Sequence, residues 1–292
     1  LERKRVVPDR VGTHRNLRAA AAANAARVDG GPDTVWYDPL PLEHMGGLMP
    51  IVRAPIYGMT TVIAARFTAR RLSLRLQESG ATAISVVPRM LRQWLRAADR
   101  VPASLDAVLV GGAPTPPALV RQAHDRGVPL YVTYGMTETT SQVATATPGM
   151  LEEDPTTVGP PLDGLDVRIV DQGGSPCPTG RSGNLIVRGP MLTPGYLDGD
   201  RSAFTDGWFR TGDIAVEGAR GWLRIVGRGD RRILSGGETV DPQVTEEVIA
   251  TVPGVSSVWV GGLSHDAWGE QVVAVVEVDG KLPEATLTST LT

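Results

Sequence analysis

What most limits the folds open to this chain is a change of rhythm within residues 72–138, where apolar residues alternate between helical and strand spacing. Leu72, Leu76 and Ser79 share one helical face. Ala83-Ile-Ser-Val-Val87 then reads as a buried strand, and Val87, Met90, Leu91, Trp94, Leu95 and Ala98 follow the i, i+3, i+4, i+7 rule, which predicts an amphipathic helix. Asp106-Ala-Val-Leu-Val110 is a second strand ending in Gly111-Gly112. Thr115 followed by Pro116 reads as an N-cap with proline at the first helical position, opening a helix to about His124. Pro129-Leu-Tyr-Val-Thr133 is a third strand, and it empties into Tyr134-Gly-Met-Thr-Glu138. Strands separated by helices predict a parallel sheet with covering helices.

From about residue 155 the pattern shifts to short alternating segments bounded by Gly, Pro and Asp: Leu165 to Val170, Gly183 to Arg188 and Trp222 to Val226. These predict a small antiparallel sheet or distorted barrel. After Gly227-Arg-Gly-Asp230 the pattern is mixed again, with a helix near Thr245 to Ala250 and strands at Val255 to Val260 and Gln271 to Val278. The segment Arg228 to Arg232 reads as a domain boundary.

Composition narrows the function classes. Among 292 residues, 29 Lys+Arg face 32 Asp+Glu for a net charge of -3, which offers no basic face for a phosphate backbone, so nucleic acid is not an expected partner. Lys4 and Lys281 are the only lysines, so a reaction that needs a lysine has two candidates. Cys177 is the only cysteine, which excludes an internal disulfide or a Cys-rich zinc site and fits a reducing, cytoplasmic compartment. No membrane span is expected, because Arg53 breaks the most apolar stretch, Leu48 to Ala65. The basic N-terminus lacks the order of a signal peptide.

Two loops carry chemistry. Gly111-Gly-Ala-Pro114 lets backbone approach a flat or anionic ligand, although an isolated glycine pair is more often a tight strand-to-helix turn. Tyr134-Gly-Met-Thr-Glu-Thr-Thr140 sits at the carboxyl end of a strand, where open α/β sheets bind ligands. There an aromatic ring can stack on a base, a threonine hydroxyl can donate to phosphate, and a glutamate can hold Mg2+. The alternative is a polar loop with a buried tyrosine.

This second string resembles the adenine- and phosphate-binding motif of the acyl-adenylate-forming superfamily, and further strings resemble the same family in the same order. Pro41-Leu-Glu-His-Met-Gly-Gly-Leu48 is similar to its histidine-bearing substrate-pocket motif, and Asn184-Leu-Ile-Val-Arg-Gly-Pro190 with Gly195-Tyr-Leu197 to a later signature. Asp206-Gly-Trp-Phe-Arg-Thr-Gly-Asp213 matches the segment whose final aspartate grips ribose. Gly227-Arg-Gly-Asp230 and Ser235-Gly-Gly-Glu-Thr-Val240 match the hinge and the glycine-rich turn of the thioester half-reaction, followed by Val252-Pro-Gly-Val255 and Asp266-Ala-Trp-Gly-Glu270. Within the superfamily, Tyr134 to Gln142 with Ile84-Ser-Val-Val-Pro88 and Met90-Leu91 resembles the o-succinylbenzoate CoA ligase branch of menaquinone biosynthesis. Other acyl- or aryl-CoA synthetases remain the nearest alternatives.

The resemblance implies an α/β fold in two parts. Residues 1–229 would form an incomplete AMP-binding domain, a parallel sheet with helices whose β-rich part is 155–227, and residues 230–292 a partial α+β lid. It also implies ATP, Mg2+, CoA and a small-molecule carboxylate as ligands. Gly111, Gly112, Ala113 and Pro114 would flank adenine and Tyr134 would stack on it, within the loop that continues through Gly135 and Met136. Thr137 would contact phosphate, Glu138 would hold Mg2+, and Asp213 with Arg228 would hold ribose. Asp230 would be the pivot, and Gly236, Gly237 and Glu238 would shape the thioester site. His44, a lone histidine that is as readily structural, gains a substrate-pocket role from its flanking glycines and the resemblance.

The pattern also departs from the family. Leu1 to Gly12 stand where a glycine-rich loop ending in Pro-Lys-Gly is usual, and the late glycine-lysine motif has no counterpart, since Lys281 lies too close to Glu270. The second acid of the hinge is Arg231, and Val244-Thr245 replace an acidic-apolar pair. The expectation is a family member cut or altered at both ends, impaired in adenylation or reduced to a nucleotide-binding fragment. Exposed apolar surface would favour self-association into homo-oligomers.

Overall fold

A computed structural model describes residues 12–278 apart from 29, 99, 241, 251, 253, 266 and 267. Lys4, Lys281, Pro253, Asp266 and Ala267, named above, lie outside the described residues, as does the side chain of Asp230. The chain begins with α1 (His14–Val28), β1 (Val35–Asp38), α2 (Met45–Tyr57), β2 (Thr60–Ile63), α3 (Ala69–Ser79), β3 (Ala83–Val86), α4 (Pro88–Ala97) and β4 (Ala107–Val110). There follow α5 (Pro117–Asp125), β5 (Leu130–Met136), β6 (Ser141–Ala146), α6 (Pro148–Glu153), β7 (Asp166–Val170), β8 (Gly183–Arg188), β9 (Phe204–Thr205), β10 (Trp208–Glu217) and β11 (Leu223–Arg228). The chain continues through β12 (Ile233–Ser235), β13 (Glu238–Val240), α7 (Pro242–Ile249), β14 (Val255–His265) and β15 (Gly269–Val278).

The first sheet has the order β2-β1-β3-β4-β5-β6, with β1 to β5 parallel and β6 returning antiparallel to β5. Every residue of β3 and β4 is buried, as strands covered on both faces require. The predicted helix after β3 is α4: Leu91, Trp94 and Leu95 are at most 1% exposed, and Trp94 Nε1 donates to Ser73 Oγ at 3.0 Å. These side chains join Leu72, Leu76, Ile84, Val108 and Val110 in one core, each worth roughly 1.5–3 kcal/mol on burial. The following helix starts one residue later than the sequence suggested. Of the two prolines in Thr115-Pro-Pro117 it is Pro117 that takes the first helical position, and Pro116 is the cap.

Two antiparallel sheets complete the fold. The five-stranded one runs β11-β10-β8-β7 with β9 on β10, and the four-stranded one runs β13-β12-β15-β14. The five-stranded sheet does not stand apart from the first. Leu185, Val187, Phe209 and Ala215 pack with Val143 and Ala144 of β6, Ala20 and Ala23 of α1 and Met49 of α2 in a shared core. In the small sheet, Ile233, Ile249, Val252, Val255 and Val260 form a core of their own.

Candidate functional site

The site is built where β5 leaves the first sheet and meets the edge of the second. Gly135 permits this turn: a Cβ there would lie 1.7 Å from the Ser141 carbonyl oxygen, so no other residue fits against β6. The hairpin register shifts between Tyr134 and Gly135. A short 3-10 turn over Thr137–Thr139 then carries the loop, and Thr140 and Ser141 return with φ of 54° and 102°. Such angles are strained for residues with a Cβ and persist only when surroundings fix them. Here Thr140 Oγ1 donates to the Met191 carbonyl at 2.7 Å, and Thr193 N donates to the Glu138 carbonyl at 2.7 Å.

The tip presents the predicted groups. Thr137 is exposed, whereas Glu138 is buried and its Oε1 accepts from Tyr196 Oη at 2.9 Å. Among the described residues no group of three or more His, Cys, Asp or Glu could hold a metal, so a metal at this loop would have Glu138 as its single carboxylate. That suits Mg2+, which commonly takes one or two carboxylates and completes its shell with phosphate oxygens and water.

Tyr134 and Asp213, 79 residues apart, are joined by a hydrogen bond from the tyrosine hydroxyl to Oδ2. Burial first, and the neighbouring Asp213 charge second, push the Tyr134 pKa well above its usual value, so the phenol stays a donor. Asp213 is 6% exposed and lies on β10 opposite Arg228 of β11. Arg228 Nη1 stands 3.5 Å from Oδ1 and donates to the Thr211 carbonyl at 3.3 Å, while Asp213 N donates to Thr211 Oγ1 at 3.0 Å. Gly212, with φ 77°, bends the strand so that Arg228 passes over it. A carboxylate has about four lone-pair positions, which is the chemistry needed to accept from a diol.

The glycine pair after β4 has a role that needs no ligand. A Cβ on Gly111 would meet Thr133 Cγ2 at 2.6 Å, and Gly112 turns the chain with φ 79°. Ala113 and Pro114 follow on the way to α5. His44 is exposed at the N-cap of α2, and among the described residues no hydrogen bond or ion pair ties its side chain to the Tyr134–Asp213 cluster. Gly236 and Gly237 form a two-residue hairpin turn between β12 and β13 with φ of 60° and 87°, the left-handed pair that tight hairpins require. Glu238 opens β13 beside it. Asp230 lies in a 3-10 turn over Gly229–Arg231, and Arg231 Nη2 donates to Glu246 Oε1 at 2.5 Å and to the Val260 carbonyl at 3.0 Å.

One buried group escaped the sequence reading, which saw Arg53 only as a break in an apolar run. Arg53 is 1% exposed, its Nη2 donates to Gln142 Oε1 at 3.0 Å, and its guanidinium lies 5.6 Å from the Trp36 ring centre. Burial lowers its pKa to about 10. Gln142 also accepts from Asn24 and donates to Thr145, which donates to Thr133, so a polar chain runs behind the β5–β6 hairpin. An arginine inside an apolar helix is the signal that could have found it.

A mostly parallel sheet whose β5 end brings a phenol against a carboxylate and a guanidinium of the second sheet has the architecture of an α/β nucleotide-binding protein. The model of the AMP-binding enzyme family matches residues 11–197, and the chain belongs to that family. It is 34% identical over 277 residues to a 2-succinylbenzoate--CoA ligase of Bacillus cereus, covering 93% of this chain and 57% of that protein. It is also 34% identical over 285 residues to the enzyme of Bacillus pumilus, covering 97% and 58%. Among solved structures it is similar to o-succinylbenzoate CoA synthetase of Bacillus subtilis bound to its acyl-adenylate intermediate, with TM-score 0.90, 30% identity, and 97% of this chain on 59% of that one. The ATP-bound MatB of Rhodopseudomonas palustris gives TM-score 0.85 at 29% identity, covering 97% of this chain and 58% of that one. The chain thus spans about 57% of the length of the curated relatives it matches. No helix among the described residues is long and apolar enough to cross a membrane.

Proposed function

We propose that this chain carries the nucleotide- and acid-binding portion of an AMP-forming acid–CoA ligase acting on o-succinylbenzoate. The observation that carries the reading is the buried Asp213 carboxylate set between Tyr134 and Arg228 at the carboxyl edge of the sheet. Its likeness to 2-succinylbenzoate--CoA ligases over 93% of the chain supports the choice of acid.

In this reading Asp213 accepts the ribose hydroxyls while Arg228 adds a permanently charged donor. The Tyr134 ring with Gly135 and Met136 forms one wall for adenine, and Gly111 to Pro114 the other. Thr137 donates to phosphate oxygens and Glu138 is the protein ligand of Mg2+. The metal, when bound, would neutralise phosphate charge and so ease departure of pyrophosphate. His44 borders the acyl pocket. Residues 1–229 form the AMP-binding part, with 155–227 as its β-rich portion, and 230–292 the lid, which turns about Asp230. Gly236, Gly237 and Glu238 then shape the site where the CoA thiol attacks the activated carbonyl. The protein works in the cytoplasm, and its full reaction belongs to the family-length protein.

o-Succinylbenzoate keeps a second carboxylate after the first is activated, whereas benzoate keeps none, so the two adenylates differ by one charge that a cationic donor can read. Calorimetric titration with non-hydrolysable o-succinylbenzoyl- and benzoyl-adenylate mimics, with AMP beside them, tests the reading. The succinylbenzoyl compound should bind about tenfold tighter than the benzoyl one, as one charge-assisted hydrogen bond allows. Equal affinity would sink the assigned acid, and absence of all binding the nucleotide site.

A further inference from the structure

A cavity lies beside Pro114 at the end of the Gly111–Pro114 loop. Its volume is about 190 Å³, and its walls include Arg89 and Arg92 of α4, Pro114 and Pro116, and, from the small-sheet side, Glu246 and Ser257. The two arginines fall with Arg96 at i, i+3 and i+7, on the face of α4 opposite buried Leu91, Trp94 and Leu95. Among the described residues neither Arg89 nor Arg92 makes a hydrogen bond or ion pair. Glu246, the carboxylate of the lining, is already engaged by Arg231 and by the Val260 amide. Arg92 is half-buried, and burial first, with the neighbouring Arg96 charge second, lowers its pKa. Ser256 donates to the Glu277 carbonyl, which leaves Ser257 as the hydroxyl on that wall with no such bond among the described residues.

We propose that this cavity binds a phosphate group, held by the Arg89 and Arg92 guanidiniums on one wall and the Ser257 hydroxyl on the other. A phosphate dianion matches two forked cations in charge, which a single carboxylate does not, and its oxygens can engage both. Because α4 precedes the Arg228–Arg232 segment and Ser257 follows it, a bound phosphate links the two sides of that segment. The group can belong to a free anion such as pyrophosphate or to the phosphorylated end of CoA. The proposal stands apart from the acid named above.

The test is calorimetric titration of the chain with inorganic pyrophosphate, CoA and 3′-dephospho-CoA, in wild type and in the R89Q/R92Q double variant, with the o-succinylbenzoyl-adenylate mimic as control. At least one phosphate ligand should bind, and the double variant should weaken it by about tenfold to a hundredfold with the mimic unaffected. Pyrophosphate binding assigns the site to a free anion. Binding of CoA with loss on removing its 3′-phosphate assigns it to the co-substrate. No binding by any of the three, or wild-type affinity in the double variant, overturns the proposal. Loss of mimic binding with phosphate binding intact would remove the acid and leave this site standing. Should the double variant melt early, R89Q at its exposed position makes the same comparison.

Discussion

Two glycine-bearing hairpins of this protein do opposite things with their glycines. At the β5–β6 hairpin Gly135 is demanded by space, since the Ser141 carbonyl occupies the position of its Cβ. At the β12–β13 hairpin Gly237 is demanded by backbone angle alone, with nothing within 4 Å of a Cβ. The first turn is locked by Thr140, Thr193 and Tyr196 into a core shared between two sheets. The second stands on the small sheet, covered by Trp268, itself 57% exposed. In the proposed reading the first hairpin holds a nucleotide in register and gains from being over-determined, whereas the second serves a moving lid and does not need to be.

Substitution by alanine should separate the two most sharply. Gly135→Ala forces backbone apart at the site, and a loss of about 3–5 kcal/mol or outright failure to fold is expected. Gly237→Ala incurs only the left-handed penalty of about 1–2 kcal/mol. Urea denaturation of both variants gives the comparison. Equal effects would mean that the β5–β6 turn can relax and is not locked.

The next effect lies on the same side of the molecule. Asp38 ends β1, is fully buried, accepts one bond from Leu40 N at 3.2 Å, and leaves Oδ2 without a partner. Burial raises its pKa to about 6 from an ordinary 3.8. An acid raised in the folded state binds its proton more tightly there than in the unfolded chain, so stability falls as pH rises from about 4 to about 6. The fall should be at most about 3 kcal/mol, two units at 1.36 kcal/mol each. Asp38→Asn should flatten the stability profile across that window. An unchanged profile would show that the carboxyl is solvated or paired in solution.

At the proposed nucleotide site, Asp213→Asn retains shape but removes the charge that Tyr134 and Arg228 address. Affinity for the adenylate mimic should drop about tenfold to a hundredfold, with far-UV dichroism preserved. An unaltered affinity would take the ribose-holding role away from Asp213.

Such residues also show how far the sequence could be read. α4 was legible because its helical period is unbroken and its apolar face is continuous. β10 was not, since Gly212 interrupts its alternation with a positive φ and the register shifts on both sides of the bulge. β6 hid for a different reason: Ser141-Gln-Val-Ala-Thr-Ala146 looks polar, yet Gln142 and Thr145 are buried because Asn24, Arg53 and Thr133 satisfy them. Asp213 was found through its motif, but nothing local announces that its partner is Tyr134, 79 residues earlier. Arg53 needed the fold to supply Gln142 before its burial made sense.

The smallest effect probes the far side of the comparison. Where the family pattern has an acid this chain has Arg231, and the structure gives the arginine a partner: Glu246 Oε1 lies 2.5 Å away and also accepts the Val260 amide. An aspartate there would face that carboxylate across the same gap, so charge reversal is here a matter of local pairing. The two side chains are 38% and 18% exposed, between a surface pair and a buried one. Arg231→Ala should therefore cost about 1 kcal/mol, more than an exposed pair and less than a buried one. Arg231→Asp should cost more through repulsion, and Arg231→Asp with Glu246→Arg should recover part of it. Adenylate-mimic affinity should stay constant through all three, because the pair holds the segment to α7 and β14 and, among the described residues, makes no hydrogen bond or ion pair to the Tyr134–Asp213 cluster. A drop in that affinity would show the two hairpin regions to be coupled, and the contrast drawn between them would fail.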